Sequence, residues 1–171
     1  FNSGMGNVTV GKLLIDPNNT QILIAATSSG IYRTTDGGSS WTRRITGNYK
    51  DLVFDAVNTN IVFAARTSAR LYKSTDNGVN FSQVTNGLPT GKSRLAIAVT
   101  PADSNFVYVV VTNQRTFQGL YLSTNRGGSF TQMSNSPNIM DYSHLGTGTS
   151  GQAWYDLDIA ADPSDKTIVN V

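Results

Sequence analysis

The 171-residue sequence contains no cysteine, no glutamate and one histidine, and only 14% of its residues are charged. Without cysteine there can be no disulfide, thiolate metal site or cysteine nucleophile, and the redox compartment is left open. Without glutamate, any carboxylate chemistry falls to the eleven aspartates. The 13 basic and 11 acidic residues are scattered along the chain, with Arg43-Arg44 the densest basic pair, so no electrostatic footprint for nucleic acid emerges. Long apolar runs are missing as well. The longest, Phe106 to Val111, is the size of a strand and far short of a bilayer span, so no membrane span is expected. The start, Phe1-Asn2-Ser3, lacks the charged and apolar regions of a signal peptide, and any export signal is expected upstream. No cofactor motif and no metal-ligand spacing is found.

What is abundant is turn and strand chemistry. Ser, Thr and Asn together number 53 and Gly another 16, a composition that suits short strands joined by polar turns. With 39% hydrophobic residues, the chain can bury enough surface to offset its conformational entropy. The expected class is all-β.

Self-similarity decides the architecture. One octamer occurs three times: Thr34-Thr35-Asp36-Gly37-Gly38-Ser39-Ser40-Trp41, Ser74-Thr75-Asp76-Asn77-Gly78-Val79-Asn80-Phe81 and Ser123-Thr124-Asn125-Arg126-Gly127-Gly128-Ser129-Phe130. Each follows an apolar-aromatic pair, Ile31-Tyr32, Leu71-Tyr72 or Leu120-Tyr121. About twenty residues upstream lies a second shared element, Asp16-Pro17 in the first copy, Asp55-Ala56 in the second and Thr100-Pro101 in the third. A fourth copy, Asp162-Pro163, has no octamer after it. The repeat length matches one four-stranded propeller blade.

Alternation and turn residues place four strands in the first repeat: Lys12 to Ile15, Ile22 to Thr27, Ile31 to Thr34 and Trp41 to Ile45. The expectation is a partial β-propeller of about three and a half antiparallel blades. Blade one covers 11–46, blade two 51–85, blade three 94–133, and a truncated blade four 156–171, with a long variable loop at 134–155. The octamer then joins strands three and four, and the Asp-Pro element joins strands one and two on the same face of the disc. The opposite face carries the loops of variable length, short at Ser28-Ser29-Gly30, longer from Asn113 to Gly119 and longest from Ser134 to Tyr155. Further blades of the same polypeptide, or a partner, are expected to complete the disc, because a propeller closes with four to eight blades in general.

The octamer resembles the Asp-box of sialidase-like and sortilin-like (BNR) propellers, Ser/Thr-x-Asp-x-Gly-x-Ser/Thr-Trp/Phe. In the third copy only the acidic position departs, with Asn125 in place of Asp. Asp36, Gly38, Trp41, Asp76, Gly78, Phe81, Asn125 and Phe130 are expected to be structural: a carboxylate or amide accepting turn N–H groups, a glycine at positive φ, and an aromatic wedged between sheets. A calcium loop would need several acidic ligands in one turn, and each box offers at most one.

Resemblance to sialidases would imply an arginine cluster, a tyrosine nucleophile and an assisting glutamate. There is no glutamate, and Arg66, Arg70 and Arg115 lie in no motif of that family. Propeller endoglucanases that cleave xyloglucan share both repeated elements and would need two carboxylates, for which Asp51, Asp141 and Asp156 are the variable-face candidates. Their Asp-Val-Gly-Gly type turn is replaced here by Ser28-Ser29-Gly30. No catalytic residue is assigned.

The long loop holds Asp141, Tyr142 and His144, followed by Trp154-Tyr155. One histidine with one aspartate lacks the further ligands of a zinc site. Trp154 is expected either to open a strand and pack on blade three or, with Tyr155, to form a sugar or peptide platform. Ligand contact is expected at Arg115, Asp141, His144, Trp154 and Tyr155. The segment Gly151 to Leu157 with its Asp-Pro strand is similar to exported Bacteroidota cell-surface proteins, many carried by type IX secretion, which implies a secreted or surface location. The function expected is an extracellular binding or adhesion scaffold for a glycan or protein, with a fragment of a propeller glycoside hydrolase as the alternative.

Overall fold

The computed structural model describes residues 3–155 and 157–171, so Asp156 lies outside the described residues. The strands are β1 (Val10–Ile15), β2 (Leu23–Thr27), β3 (Gly30–Thr34), β4 (Thr42–Thr46), β5 (Tyr49–Phe54), β6 (Val62–Arg66), β7 (Arg70–Ser74), β8 (Ser82–Val84), β9 (Arg94–Val99), β10 (Val107–Asn113), β11 (Thr116–Ser123), β12 (Thr131–Ser134), β13 (Ala160–Ala161) and β14 (Val169–Asn170). They form three four-stranded sheets in simple meander order and one two-stranded sheet, all antiparallel. This is an all-β partial propeller. The first strands of successive blades, β1, β5, β9 and β13, lie side by side around the axis.

Blade stacking follows from strand alternation. In β10, Val107, Val109 and Val111 face blade two, where they meet Phe63, Ala65 and Leu71. The intervening Tyr108 and Val110 face blade four and meet Leu157 and Ile159. Ile24, Ala26 and Ile31 of blade one pack the same way against Leu52, Val62 and Ala64 of blade two. Second strands are therefore buried on both sides and read as continuous apolar runs. Burying one such side chain stabilises the fold by about 1.5–3 kcal/mol.

The three boxes share one hydrogen-bond pattern. The hydroxyls of Thr34 and Ser74 donate to the box carboxylates of Asp36 and Asp76 at 2.6 and 2.7 Å. Those carboxylates accept the N–H of Ser40 and Asn80 at 2.9 and 2.8 Å, and the side chains of the same two residues at 2.6 and 2.7 Å. Asn125 keeps the geometry: its Oδ1 accepts from Ser123 Oγ at 2.9 Å and from Ser129 N at 2.9 Å, while its Nδ2 donates to Ser129 Oγ at 2.9 Å. The Ser40 hydroxyl and the other donors around Asp36 hold its carboxyl at about 2. Partial burial pushes Asp76 up, but the bonds from Asn80, Ser74 and Val79 outweigh it and leave that carboxyl also at about 2.

Two consecutive left-handed residues build each turn: Gly37 and Gly38 (φ 67° and 95°), Asn77 and Gly78 (58° and 78°), Arg126 and Gly127 (56° and 75°). The second must be glycine in blades two and three for a further reason. A Cβ on Gly78 would stand 2.5 Å from Ile24 Cδ1, and one on Gly127 2.5 Å from Phe63 Cε1, so the turn backbone rests directly on the preceding blade. The first residue reaches back across the same seam. Asn77 Nδ2 donates to Asp16 Oδ2 at 2.7 Å, and Arg126 Nε donates to Asp55 Oδ2 at 3.0 Å. Lys166 Nζ pairs with Asp103 Oδ2 at 2.9 Å across the seam of blades three and four.

Among the box aromatics, Phe130 is buried and packs in the cluster between blades two and three, and Phe81 packs partly in the one between blades one and two. Trp41 is half-buried against Met5, Ala25 and Tyr32, on the side of blade one away from blade two. A further repeated element accompanies these aromatics. Ser3 O accepts Trp41 N–H at 2.8 Å and Asn86 O accepts Phe130 N–H at 3.1 Å, and neither Gly4 nor Gly87 has room for a Cβ beside the aromatic residue's carbonyl.

Two expectations need correction. The segment Asn113 to Gly119 is not a longer loop: β10 and β11 extend through it, pairing Asn113 with Thr116 across Gln114-Arg115, with a bulge between Val111 and Thr112. The β-branched and aromatic run Val107 to Thr112 favours extended pairing well beyond the sheet rim. Nor does Trp154 open a strand; it sits in a turn and is 61% exposed.

Candidate functional site

The variable face is built from the β2–β3 and β6–β7 turns, the projecting β10–β11 hairpin and the 134–155 loop. Beyond Ser134, where β12 ends, that loop carries no strand of the sheets and is held by its own short polar side chains. Asn138 Oδ1 accepts Phe117 N–H from β11 at 2.9 Å, and its Nδ2 donates to Gly148 O at 3.0 Å. Asp141 Oδ2 accepts Gly148 N–H at 2.5 Å, and Asp141 pairs with Gly151 in an isolated antiparallel bridge. Gly151 is seated against Met140 and Arg115 with no space for a side chain. Ala153 beside it is fully buried, which anchors the next turn.

This anchoring turns Trp154 and Tyr155 outward. They are 61% and 73% exposed, and their rings meet edge to face with centroids 5.5 Å apart. Arg94 Nη1 donates to the backbone carbonyls of both, at 2.9 and 3.0 Å. The pair is thereby clamped to the first strand of blade three. On one side the two rings, Tyr142, Arg115 and Gln114 line a cavity of about 440 Å³. Arg115, Trp154 and Tyr155 are thus brought together, whereas Asp141 is engaged in the loop's internal bonds and His144 stands exposed at its tip; neither lines this cavity.

On the other side Trp154 borders a cleft of about 590 Å³ between blades two and three, whose charged lining residues are Lys50, Arg66, Lys92 and Arg94. Beyond it, and sharing Lys50 and Arg94, a third cavity of about 530 Å³ opens toward the axis and holds Lys12, Asp51 and Asp158. Lys12, Asp51, Ala96 and Asp158 occupy one repeat position, four residues before the Asp or Thr of the Asp-Pro element. Burial pushes the Asp51 carboxyl up, while bonds from Ile97 N–H (3.0 Å) and Leu52 N–H (2.9 Å) and Lys12 at 3.8 Å pull against it. Both Asp51 oxygens are occupied by backbone donors, one of them on the edge strand of the next blade.

Lys50, Lys92 and Arg94 escape sequence reading because no dense basic run marks them, and Arg66 stands there only as an arginine without a motif. The signal that could find them is positional: Arg66 ends a second strand, and Lys50, Lys92 and Arg94 flank the starts of first strands, which are the ends that all reach one face.

The family model of Sortilin-Vps10, described as sortilin, neurotensin receptor 3, matches residues 17–166. The chain belongs to the Sortilin-Vps10 family. No curated protein matches this family member by sequence. Among solved structures it is similar to an ancestral GH74 enzyme (18% identity, TM-score 0.68, 80% of this chain and 20% of that one). It is also similar to the GH74 xyloglucanase from Xanthomonas campestris (19% identity, TM-score 0.62, 94% and 26%). A third is YCF48 from Cyanidioschyzon merolae (15% identity, TM-score 0.55, 75% and 38%). The chain thus spans well under half the length of each of these, and at such identities the likeness concerns the fold. Among the described residues, no helix is long and apolar enough to cross a membrane, and no group of three metal-ligating side chains occurs.

Proposed function

We propose that this Sortilin-Vps10 chain is part of an extracellular or cell-surface binding scaffold whose variable face recognises a glycan or a protein. The observation that carries the reading is the Trp154-Tyr155 pair: two aromatic rings held outward by a clamped backbone, beside cavities large enough for several sugar rings or a short peptide. Large exposed aromatics held in place by buried neighbours are recognition surfaces in general, because the contact area comes at little cost in side-chain entropy. Ile139, Tyr142 and Leu145 of the same loop are also exposed and widen the apolar rim. Further blades or a partner protein completing the disc belong to the same proposal.

The test is affinity electrophoresis and surface binding of the full-length protein against immobilised polysaccharides and peptides, with the wild type beside a Trp154→Ala/Tyr155→Ala double variant. Retained folding with binding lost only in the variant supports the site; equal binding by both moves recognition elsewhere.

A second reading rests on Asp51 and Asp158, which line one cavity near the axis, with the Asp51 carboxyl pushed up by burial as a general acid requires. On that reading the chain is a fragment of a propeller glycoside hydrolase with carboxylates contributed by other blades. Release of oligosaccharides from xyloglucan by the full-length protein, abolished by Asp51→Asn, is the outcome that would favour it.

A further inference from the structure

The fold sorts charge that the sequence scatters. Seven of the eleven aspartates, at 16, 36, 55, 76, 103, 162 and 165, belong to the boxes and Asp-Pro elements on one face. The basic residues of that face are spent on seams: Arg33 donates to Asn77, Lys73 to the Arg126 carbonyl, Arg126 to Asp55, and Lys166 to Asp103. On the opposite face Lys50, Arg66, Lys92 and Arg94 converge on one cleft with no carboxylate among its lining residues. Among the described residues none of these four forms an ion pair. Arg94 spends one nitrogen on the Trp154 and Tyr155 carbonyls, and Arg66 makes one long bond of 3.3 Å to the Tyr72 hydroxyl. The cleft also holds a buried Asn48 side-chain oxygen with no hydrogen-bond partner.

Like charges that line one cleft with no carboxylate among them are compensated when an anion enters. The cleft continues into its neighbours: Gln114 and Trp154 are shared with the Arg115 cavity, and Lys50 and Arg94 with the axial one. The path is therefore elongated, with cations along the cleft, the carboxylates Asp51 and Asp158 only at its axial end, and aromatic faces at Trp154 and Tyr155. Its polar lining at Thr67, Ser68, Ser93 and Gln114 offers bonds for hydroxyls, whereas its apolar residues Ala65 and Leu95 are both 1% exposed and offer no pocket for a peptide side chain. Extended, hydroxyl-rich, anionic and able to stack a ring: we infer that the variable face binds a polyanionic glycan, with sulfate or uronic carboxylate groups in the Lys50–Arg66–Lys92–Arg94 cleft. This rests on the binding-scaffold reading above and specifies its ligand.

The experiment measures binding of the full-length protein to heparin or chondroitin sulfate (sulfated), alginate or polygalacturonate (carboxylated) and dextran or xyloglucan (neutral), with poly-glutamate and a single-stranded oligonucleotide of matched charge as competitors. The variant is Lys50→Gln/Lys92→Gln, two side chains that make no hydrogen bond among the described residues, so folding is expected to be retained; Arg43→Gln on β4, outside the cleft, controls for net charge. The expected result is binding to one or both anionic glycan classes and not to the neutral ones, with a steep salt dependence. The double variant should weaken it about tenfold or more with a shallower salt slope, and Arg43→Gln should change it little. The sulfated and carboxylated arms distinguish the two sources of charge, and preference for either supports the inference. Equal binding of neutral glycans, lost in Trp154→Ala but untouched in Lys50→Gln/Lys92→Gln, overturns the anionic assignment and leaves the platform standing. Stronger competition by poly-glutamate or the oligonucleotide overturns the glycan class, and absence of any binding overturns both.

Discussion

The two faces of the disc are made from the same repeat and use it in opposite ways. On the box face the carboxylates have partners: Asp36 and Asp76 hold their own turns, and Asp16, Asp55 and Asp103 hold the next blade through Asn77, Arg126 and Lys166. On the variable face the Trp154 and Tyr155 rings stand exposed, and among the described residues none of the four cleft cations has a carboxylate partner. A group that is satisfied within the fold lends stability; one left unsatisfied at a surface is available to a ligand. The contrast implies that stability and recognition can be altered separately, each from its own side.

The largest test comes from the seam between blades two and three. Phe130→Ala removes a buried ring and should destabilise by about 3–5 kcal/mol in chemical denaturation, while ligand affinity of the protein that remains folded stays unchanged. Gly127→Ala should cost about 1–3 kcal/mol, since the added methyl meets Phe63 and the backbone is left-handed. Pairing it with Phe63→Leu should recover part of the loss, and no recovery would show that backbone strain, not contact, dominates.

Acid sharpens the comparison further. The folded carboxyls of Asp36 and Asp76 sit at about 2, below the unfolded value of about 4. Their stabilising contribution is therefore complete above about pH 4 and lost as pH falls from there toward about 2. Asp36→Asn copies box three, where Asn125 faces Ser129. It should lower the melting temperature modestly at pH 7, by the share that the charge contributes, and flatten its decline below pH 4; an unchanged melting temperature at pH 7 would mean that hydrogen-bond geometry alone holds the turn. The smallest stability effect is expected on the other face. Trp154→Ala should shift stability by no more than about 0.5 kcal/mol because the ring is mostly in solvent, although ligand binding is lost.

How far the sequence reveals these faces differs between them. The boxes are legible because their function is local: Thr34, Asp36, Gly38 and Ser40 act within one turn, so the needed chemistry lies within a few consecutive letters. Seam partners are half-legible. Asp16 and Asp55 recur visibly, but Asn77 and Arg126 occupy a variable box position, and only three-dimensional stacking shows that both reach the preceding blade. The cleft is illegible, because Lys50 on β5, Arg66 on β6 and Lys92 just before β9 converge only when two blades dock. The 134–155 loop is intermediate. Its length marks it out, yet its shape depends on Asn138 and Asp141 bonding to Gly148, pairings that no periodicity announces.

The three seams differ in the partner that each takes for its box-face carboxylate, and this has a consequence in salt. Between blades one and two the bond is an amide on a carboxylate, Asn77 to Asp16, with little dependence on ionic strength. Between two and three it is Arg126 on Asp55, whose carboxylate is 1% exposed and shielded from counterions. Between three and four it is Lys166 on Asp103, 44% and 25% exposed, where a Debye length of about 3 Å in molar salt screens the attraction most fully. The arc is therefore graded: rising salt should loosen it progressively from the blade-four end, with amide exchange quickening there while the first seam stays closed.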